Sequence, residues 1–502
     1  MEIIILDDGI NYSHYGLGRE VECFEVTEDL CIAHRDCHYG SIDSHGTICA
    51  AIINKYAPNA KLTSVKAIGD NAQPGSKQKL LAALRWSLRR KAPLVHMSIG
   101  STFSGDFEEM RAATLDLYQS GTIIVAAYDN KDIFTAPAGF SFVIGVKSSR
   151  SHGEGQISMD IEAHCILASG RHRLTDFQGN QITTQNSNSY AAPLVTALIH
   201  NILHNHGKLN NKEALIKLSE YCMDKPDFNR YWSSIHQPDF VGNHAVVFSH
   251  PSLRNNSRFF FRTDRMINRL AEMPSSVDDL VFIPESDGQY VDILESLMHK
   301  KTALRSVLYA GVPGTGKTNE LMRGLDCIYW DETMRKRSEP CKSYNKDISE
   351  VPIVAVTGER DSVVAMTKGL RRIFEMDGYS AMVVGTVAKA YLYGMYPLLE
   401  EPIEQQLQYI TAHYPSDIIL LAHDGQVVDV EVYDIVIKVV HHKKPGCHLS
   451  GNQLCVSYQV IDDSMLARIR EIIKRFLAPD NNADTAIDAT CAKEFIINGN
   501  HA

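Results

Sequence analysis

No stretch of this 502-residue chain approaches the ~18–20 consecutive apolar residues that a membrane-spanning helix requires, so no membrane partner is expected. Residues 3–6 are apolar, but the run is short and lacks a basic lead, so it does not read as a signal peptide. A basic excess is missing too. The formal net charge is −10, which gives no electrostatic reason to expect nucleic acid as a partner. Internal repeats and low-complexity tracts are absent. The 11 cysteines are odd in number and scattered, which fits reduced thiols of a cytoplasmic protein better than a disulfide framework. What remains is a chain with 44% hydrophobic residues, enough for two or three properly cored domains.

Three short segments carry the chemistry. IIILDDGI at 3–10, SHGTICAAII at 44–53 and NSNSYAAPLVTAL at 186–198 place Asp7, His45 and Ser189 in that order, with no GxSxG around the serine. This is one of three chain orders in which the Asp/His/Ser arrangement for acyl transfer occurs. Asp7 closes an aliphatic run that reads as a strand, so its carboxylate lies at a buried strand end, able to orient an imidazole. His45 and Ser189 each open a small-residue helix, and the first-turn N–H groups of the second can help hold a developing negative charge. Singly, each residue reads equally well as a turn or cap residue; the ordered set is the signal.

These segments resemble the subtilisin-like serine peptidases over roughly the first 225 residues. The Asp-Thr/Ser-Gly strand end of that family reads Asp7-Asp8-Gly9, and His-Gly-Thr reads His45-Gly46-Thr47. Gly-Thr-Ser-Met-Ala-Ala-Pro reads Ser187-Asn188-Ser189-Tyr190-Ala191-Ala192-Pro193. HMSIGS at 96–101 resembles the substrate-pairing strand, and IIVAAYDN at 123–130 the strand that ends in the oxyanion-hole asparagine. FVIGVKSS at 142–149 resembles the strand that follows. The resemblance implies a subtilisin-like parallel α/β sheet and a serine endopeptidase acting on peptide or protein substrates without a cofactor or metal. Asp7, His45 and Ser189 would be its triad, and Asn130 its side-chain oxyanion donor. Ser187, Asn188 and Asp129 depart from the pattern. A carboxylate at 129 would oppose an oxyanion unless it points away, so an inactive peptide-binding scaffold is the alternative.

The second half alternates strand and helix patterns, which implies a second, doubly wound P-loop/Rossmann-like α/β domain. SVLYA at 306–310, VPIVAVT at 351–357, AMVVGT at 381–386, DIILLAHDG at 417–425 and EVYDIVIKVVHH at 431–442 read as strands. Residues 361–376 and 464–477 read as amphipathic helices. The expected divisions are 1–225, a connector over 226–300 with strands such as RFFFRT at 258–263, an α/β domain over 301–480 and a loose tail over 481–502. Residues 311–318, GVPGTGKT, satisfy GxxxxGK[ST] after a strand. ATP or GTP with Mg is the cofactor such a loop would take, on Gly311, Gly316, Lys317 and Thr318, and a nucleotide-dependent accessory protein is a further alternative. VVGTVAKAYLYGM at 383–395 resembles P-loop-like proteins of bacterial peptide-maturation systems, whose phosphate loop would fall on 357–367, where its lysine is absent. That resemblance implies leader removal in a cytoplasmic peptide-maturation setting, with maturation proteins as partners. Cys31, His34, Cys37 and His38, and likewise His441, His442, Cys447 and His448, have roughly metal-like spacing. They read as a loop with incidental thiols and as a surface turn.

Overall fold

The computed structural model describes residues 1–17, 21–36, 44–69, 76–232, 234–235, 237–242, 244–250, 259–286, 288–300, 304–313, 316–325, 327–334, 350–398, 403–425, 433–442 and 446–478. They fall into two compact units. The first takes in residues 1–102, 106–254 and 263–336, the second residues 103–105, 255–262 and 337–502.

The first unit is built on a nine-stranded sheet. Its strands are β1 (Glu2–Asp7), β2 (Glu22–Val26), β3 (Ile32–His34), β4 (Lys61–Lys66), β5 (Leu94–Met97), β6 (Ile123–Ala127), β7 (Ile144–Ser148), β8 (Ile157–Asp160) and β9 (Cys165–Ala168). Their order is β3-β2-β4-β1-β5-β6-β7-β9-β8, parallel except where β3 and β8 pair antiparallel with β2 and β9. A ribbon of β10 (Arg173–Thr175) and β11 (Gln181–Thr183) follows. Helices α1 (His45–Tyr56), α2 (Ser76–Arg90), α3 (Phe107–Gln119), α4 (Asn188–His206), α5 (Asn211–Ser219) and α6 (Phe228–Trp232) complete this part.

Ile3, Ile4, Ile5 and Leu6 are fully buried, the continuous apolar run of a central parallel strand covered on both faces. Leu6 registers with Val65 of β4 on one side and Met97 of β5 on the other. Parallel strands end at a common edge, and α1 and α4 begin beside it and pack on each other. In open α/β sheets this carboxyl edge is where sites form.

The same unit contains a second, five-stranded parallel sheet: β12 (Ala245–Phe248), β13 (Thr263–Ile267), β14 (Asp279–Phe282), β15 (Ser306–Tyr309) and β16 (Ile328–Asp331), in the order β13-β12-β14-β15-β16. Helices α7 (Val291–His299) and α8 (Gly316–Arg323) lie between its later strands. The expected division at 300 is therefore corrected. Strand candidate 306–310 pairs with strands of the supposed connector, because β14 and β15 are in register from Asp279↔Ser306 to Phe282↔Tyr309. RFFFRT is corrected as well: β13 begins only at Thr263, while Phe259 and Phe261 stack on one another and are buried in the second unit.

The second unit holds a seven-stranded sheet of β17 (Ile353–Gly358), β18 (Ala381–Gly385), β19 (Tyr396–Pro397), β20 (Ile418–Asp424), β21 (Ile435–His441), β22 (Gly446–Ser450) and β23 (Gln453–Tyr458). The order is β19-β18-β20-β17-β21-β23-β22, with only β22 antiparallel to its neighbour among the described strands. Helices α9 (Arg360–Met376), α10 (Ile403–His413) and α11 (Asp463–Phe476) belong to it. Ile353, Ala355, Val384, Leu407, Ile419 and Leu421 form its core. The expected tail lies outside the described residues.

Asp279 pins the five-stranded sheet. Its carboxylate, 1% exposed, accepts Arg305 Nε at 3.2 Å and Nη2 at 2.8 Å, and the Ser306 hydroxyl at 2.7 Å. Arg305→Ala leaves that charge buried without its cation and is expected to cost about 3 kcal/mol. Urea unfolding followed by circular dichroism checks this. A midpoint equal to wild type would show that the pair does not hold the sheet.

Candidate active site

Asp7 ends β1 with 1% of its surface exposed, and both carboxylate oxygens lie within reach of His45 Nδ1, at 2.9 and 3.0 Å. A fixed Nδ1–H donor leaves Nε2 as the ring's acceptor. Two features bring the strand end to the helix start. Ser44 caps α1, accepting from Thr47 N–H at 3.3 Å and donating to Gly9 C=O at 3.1 Å. Gly46 admits the close approach, since a Cβ there would lie 2.6 Å from Gly9 O and 3.0 Å from Asp7 Cβ.

Asp8, where the resemblance implies Ser or Thr, takes both first N–H groups of α1. His45 N–H donates to Oδ2 at 3.0 Å and Gly46 N–H to Oδ1 at 2.8 Å. A carboxylate suits the positive end of a helix. Burial, and then the neighbouring Asp7 charge, nevertheless hold its pKa above the ordinary carboxylate value.

Ser189 lies in the first turn of α4, and Tyr190 stacks on the His45 ring at 5.4 Å between centroids. Among the described residues no hydrogen bond joins Ser189 Oγ to His45. Asn130 stands three residues past β6. Its Oδ1 accepts Asn188 N–H at 3.0 Å, which sets the amide so that Nδ2 is its donor, with no acceptor among the described residues. Ser189 N–H, in the first helical turn, likewise meets no acceptor among the described residues.

Asn188, read from sequence only as a departure, is the clamp of this edge. Its Oδ1 accepts Ser148 N–H at 2.7 Å, and its Nδ2 donates to Tyr128 O at 3.2 Å and Asp129 O at 2.9 Å. The Asp129 carboxylate is engaged locally, accepting Lys131 N–H at 2.7 Å.

Cys49, one turn after His45, is buried, with Sγ 4.0 Å from His45 Nδ1 and 3.6 Å from Ser189 O. His45 is held above the ordinary histidine value. A Cys49 thiolate would contribute most, but burial pushes the thiol up and keeps it protonated, so the Asp7 carboxylate and its hydrogen bond carry the shift against burial. Asp7, His45 and Cys49 are the one grouping of three potential metal ligands among the described residues, with ligand atoms within 4.8 Å of one another. A cation there would take the Nδ1 that already donates to Asp7, so the donor set serves the Asp–His pair instead.

The other candidate loops fare differently. Gly311 follows β15 and Gly316 opens α8, as a phosphate loop would, while residues 314 and 315 lie outside the described set. Lys317 forms an ion pair with Glu295 of α7, and the Thr318 side chain is fully buried. Cys37 and His38 lie outside the described residues. His441 closes β21 and Cys447 and His448 lie within β22, so the expected surface turn is strand there. Seven described cysteines carry free thiols, while Cys23 is disulfide-bonded.

Residues 2–225 match the Subtilase family. The chain is 28% identical over 174 residues to the minor extracellular protease Epr of Bacillus subtilis (strain 168), covering 32% of this chain and 26% of that protein. It is 23% identical over 215 residues to the major intracellular serine protease of the same organism, covering 40% of this chain and 67% of that protein. The chain thus spans about a quarter of the length of the first relative and two thirds of the second. Among solved structures, a cold adapted subtilisin-like serine proteinase aligns with TM-score 0.36 and 19% identity, over 45% of this chain and 84% of that one. The nisin leader peptidase NisP from Lactococcus lactis aligns with TM-score 0.35 and 16% identity, over 43% and 81%. Residues 2–225 are therefore a subtilase-family domain.

Proposed function

We propose that this chain is a serine endopeptidase that cleaves peptide bonds in peptide or protein substrates through Asp7, His45 and Ser189. The observation that carries the reading is the Asp7–His45 pair at 2.9 Å, set beside a helix start that carries Ser189. The Asn130 Nδ2 and Ser189 N–H donors supply the second half of the chemistry. Ser189 Oγ attacks the scissile carbonyl carbon while His45 Nε2 takes its proton. Asp7 holds the tautomer and stabilises the imidazolium. The carbonyl oxygen, now negative, accepts from Asn130 Nδ2 and Ser189 N–H. His45 then protonates the leaving amine as the C–N bond breaks, and water, deprotonated by His45, hydrolyses the acyl-enzyme. No nucleotide enters these steps.

A second reading, a peptide-binding scaffold without turnover, is favoured by the missing Ser189–His45 hydrogen bond. Removal of a leader from a ribosomally made peptide in the cytoplasm is the narrower form of the peptidase reading. Its support is the sequence resemblance of residues 383–395.

Fluorophosphonate labelling with peptide mapping separates peptidase from scaffold. One adduct is expected on Ser189 and none in Ser189→Ala; a native, folded wild type that takes no label favours the scaffold. Asn130→Ala is expected to lower kcat by about 10²–10³-fold on a fluorogenic peptide with little change in KM, the loss typical of one oxyanion donor. An unchanged kcat would remove Asn130 from the mechanism. His45 acts as a base only when neutral, and its pKa is raised, so activity is lost as pH falls through a value above the ordinary one. The ascending limb of kcat/KM against pH is expected to have its midpoint above 6.5. A midpoint at or below that value would mean that Asp7 does not bias the ring.

A further inference from the structure

Behind the nucleophile lies a second histidine, His96, on β5 and fully buried. Its Nδ1 is 2.8 Å from Thr196 Oγ1 and its Nε2 is 3.0 Å from Ser98 Oγ. The Ser98 hydroxyl also lies 2.8 Å from the Ser189 carbonyl oxygen, and the Thr196 hydroxyl 3.0 Å from the Ala192 carbonyl oxygen. The network therefore runs from one backbone carbonyl of α4 to another, through hydroxyl, imidazole and hydroxyl.

Counting protons fixes its direction. Both ends are carbonyls and only accept. Four hydrogen bonds need four protons, and two hydroxyls with a neutral imidazole supply three. An imidazolium would complete the set, but burial opposes it and pushes His96 down to about 4, with the Asp7 charge raising it and the His45 charge lowering it further. One bond must be surrendered.

The two ends are unequal. The Ala192 carbonyl has the N–H of Thr196 as its helical donor, four residues on, so the Thr196 hydroxyl can turn to His96 Nδ1 at little cost. The Ser189 carbonyl faces residue 193, which is proline and has no N–H. Its hydroxyl donor is Ser98, with the weak Cys49 thiol at 3.6 Å beside it. The bond at the Ser189 end is the one retained, and with the Ser98 proton on that carbonyl, the buried Nε2 at 3.0 Å from Ser98 Oγ is satisfied only as a donor.

We infer that His96, in its Nε2–H form, is a positioning residue of the nucleophile: it donates to Ser98 Oγ, commits the Ser98 hydroxyl to the Ser189 carbonyl and so fixes the peptide that carries Oγ. This rests on the reading of Ser189 as nucleophile. His96 touches no reacting atom, and it acts through the backbone carbonyl of Ser189, the residue whose N–H faces the oxyanion.

The test uses the full chain. The second-order rate of fluorophosphonate labelling and the kcat and KM for a fluorogenic peptide are measured for wild type, His96→Leu and His96→Gln. Gln places an N–H donor near the ring Nε2 position, whereas Leu places none. His96→Leu is expected to lower labelling rate and kcat about tenfold, the scale of one hydrogen bond, with KM within about twofold. His96→Gln is expected to restore most of the loss. Equal rates in wild type and His96→Leu overturn the inference, as does a His96→Gln no better than His96→Leu. Long-range ¹H–¹⁵N spectra of histidine-labelled wild type assign the ring independently of any variant's folding: Nε2–H supports the inference and Nδ1–H overturns it. A wild type that takes no label at Ser189 brings down the peptidase reading itself, a result separate from labelling that is normal and insensitive to His96.

Discussion

The buried carboxylate of Asp7 is the constraint on which the site depends. A charge that is 1% exposed is costly unless donors converge on it, and two do: His45 Nδ1 and the Asp8 N–H at 2.9 Å. That need dictates its surroundings. The strand must be central, so that its end is covered. The helix must start where the strand stops, so Gly46 sits against Gly9 and Ser44 reaches back to the Gly9 carbonyl. Asp8 then gathers the first amides of α1, which fixes the backbone of His45 while Asp7 fixes its ring. Two adjacent carboxylates thus hold one residue from two sides.

The start of α4 has the opposite problem, an excess of unsatisfied backbone groups. Its early N–H groups lack helical acceptors, as at any helix start, and Pro193 removes the donor of the Ser189 carbonyl. The chain resolves these selectively. Asn188 N–H goes to Asn130, and the Ser189 carbonyl goes to Ser98. The Tyr190 carbonyl receives His172, itself held by the Tyr56 hydroxyl. Among the described residues, the N–H of this turn that meets no acceptor is that of Ser189, the one the proposed mechanism gives to the oxyanion. Selective satisfaction of neighbours is how a flexible helix end becomes an aimed donor.

Much of this was legible in the sequence, for identifiable reasons. β1, β17, β20 and β21 are buried aliphatic runs, and α9 and α11 have apolar stripes at helical period, so local pattern and fold agree. Asp7, His45, Asn130 and Ser189 were readable because each sits at an element boundary beside small residues. The roles of Asn188, Asp8 and His96 were not, because they depend on partners 38 to 100 residues away that no local pattern connects. Asn188 read as a loss from the motif, yet its amide makes three bonds that a threonine hydroxyl has too few groups to make. The 226–300 segment misled for a related reason. Its strands are four or five residues long and are separated by proline-punctuated stretches, so they read as a connector. Only pairing with β15 and β16 makes them a sheet.

The electrostatics of the site run in part against stability, most plainly at Asp8, where the subtilisin-like pattern has a hydroxyl. Burial, and then the charge of Asp7, raise Asp8, so its ionised form at neutral pH is a cost to the fold, partly offset by the amides of α1 that it holds. Burial keeps both Cys49 and His96 neutral beside the Asp–His pair, when ionising either would change the field at His45. A hydroxyl at position 8 and an aliphatic side chain at 96 would remove these costs. They would also remove the second anchor of His45 and the donor that commits Ser98. The arrangement is coherent if the quantity maintained at this sheet edge is the orientation of His45 and of the Ser189 peptide, with stability supplied by the fully buried Ile3, Ile4, Ile5 and Leu6 beneath it.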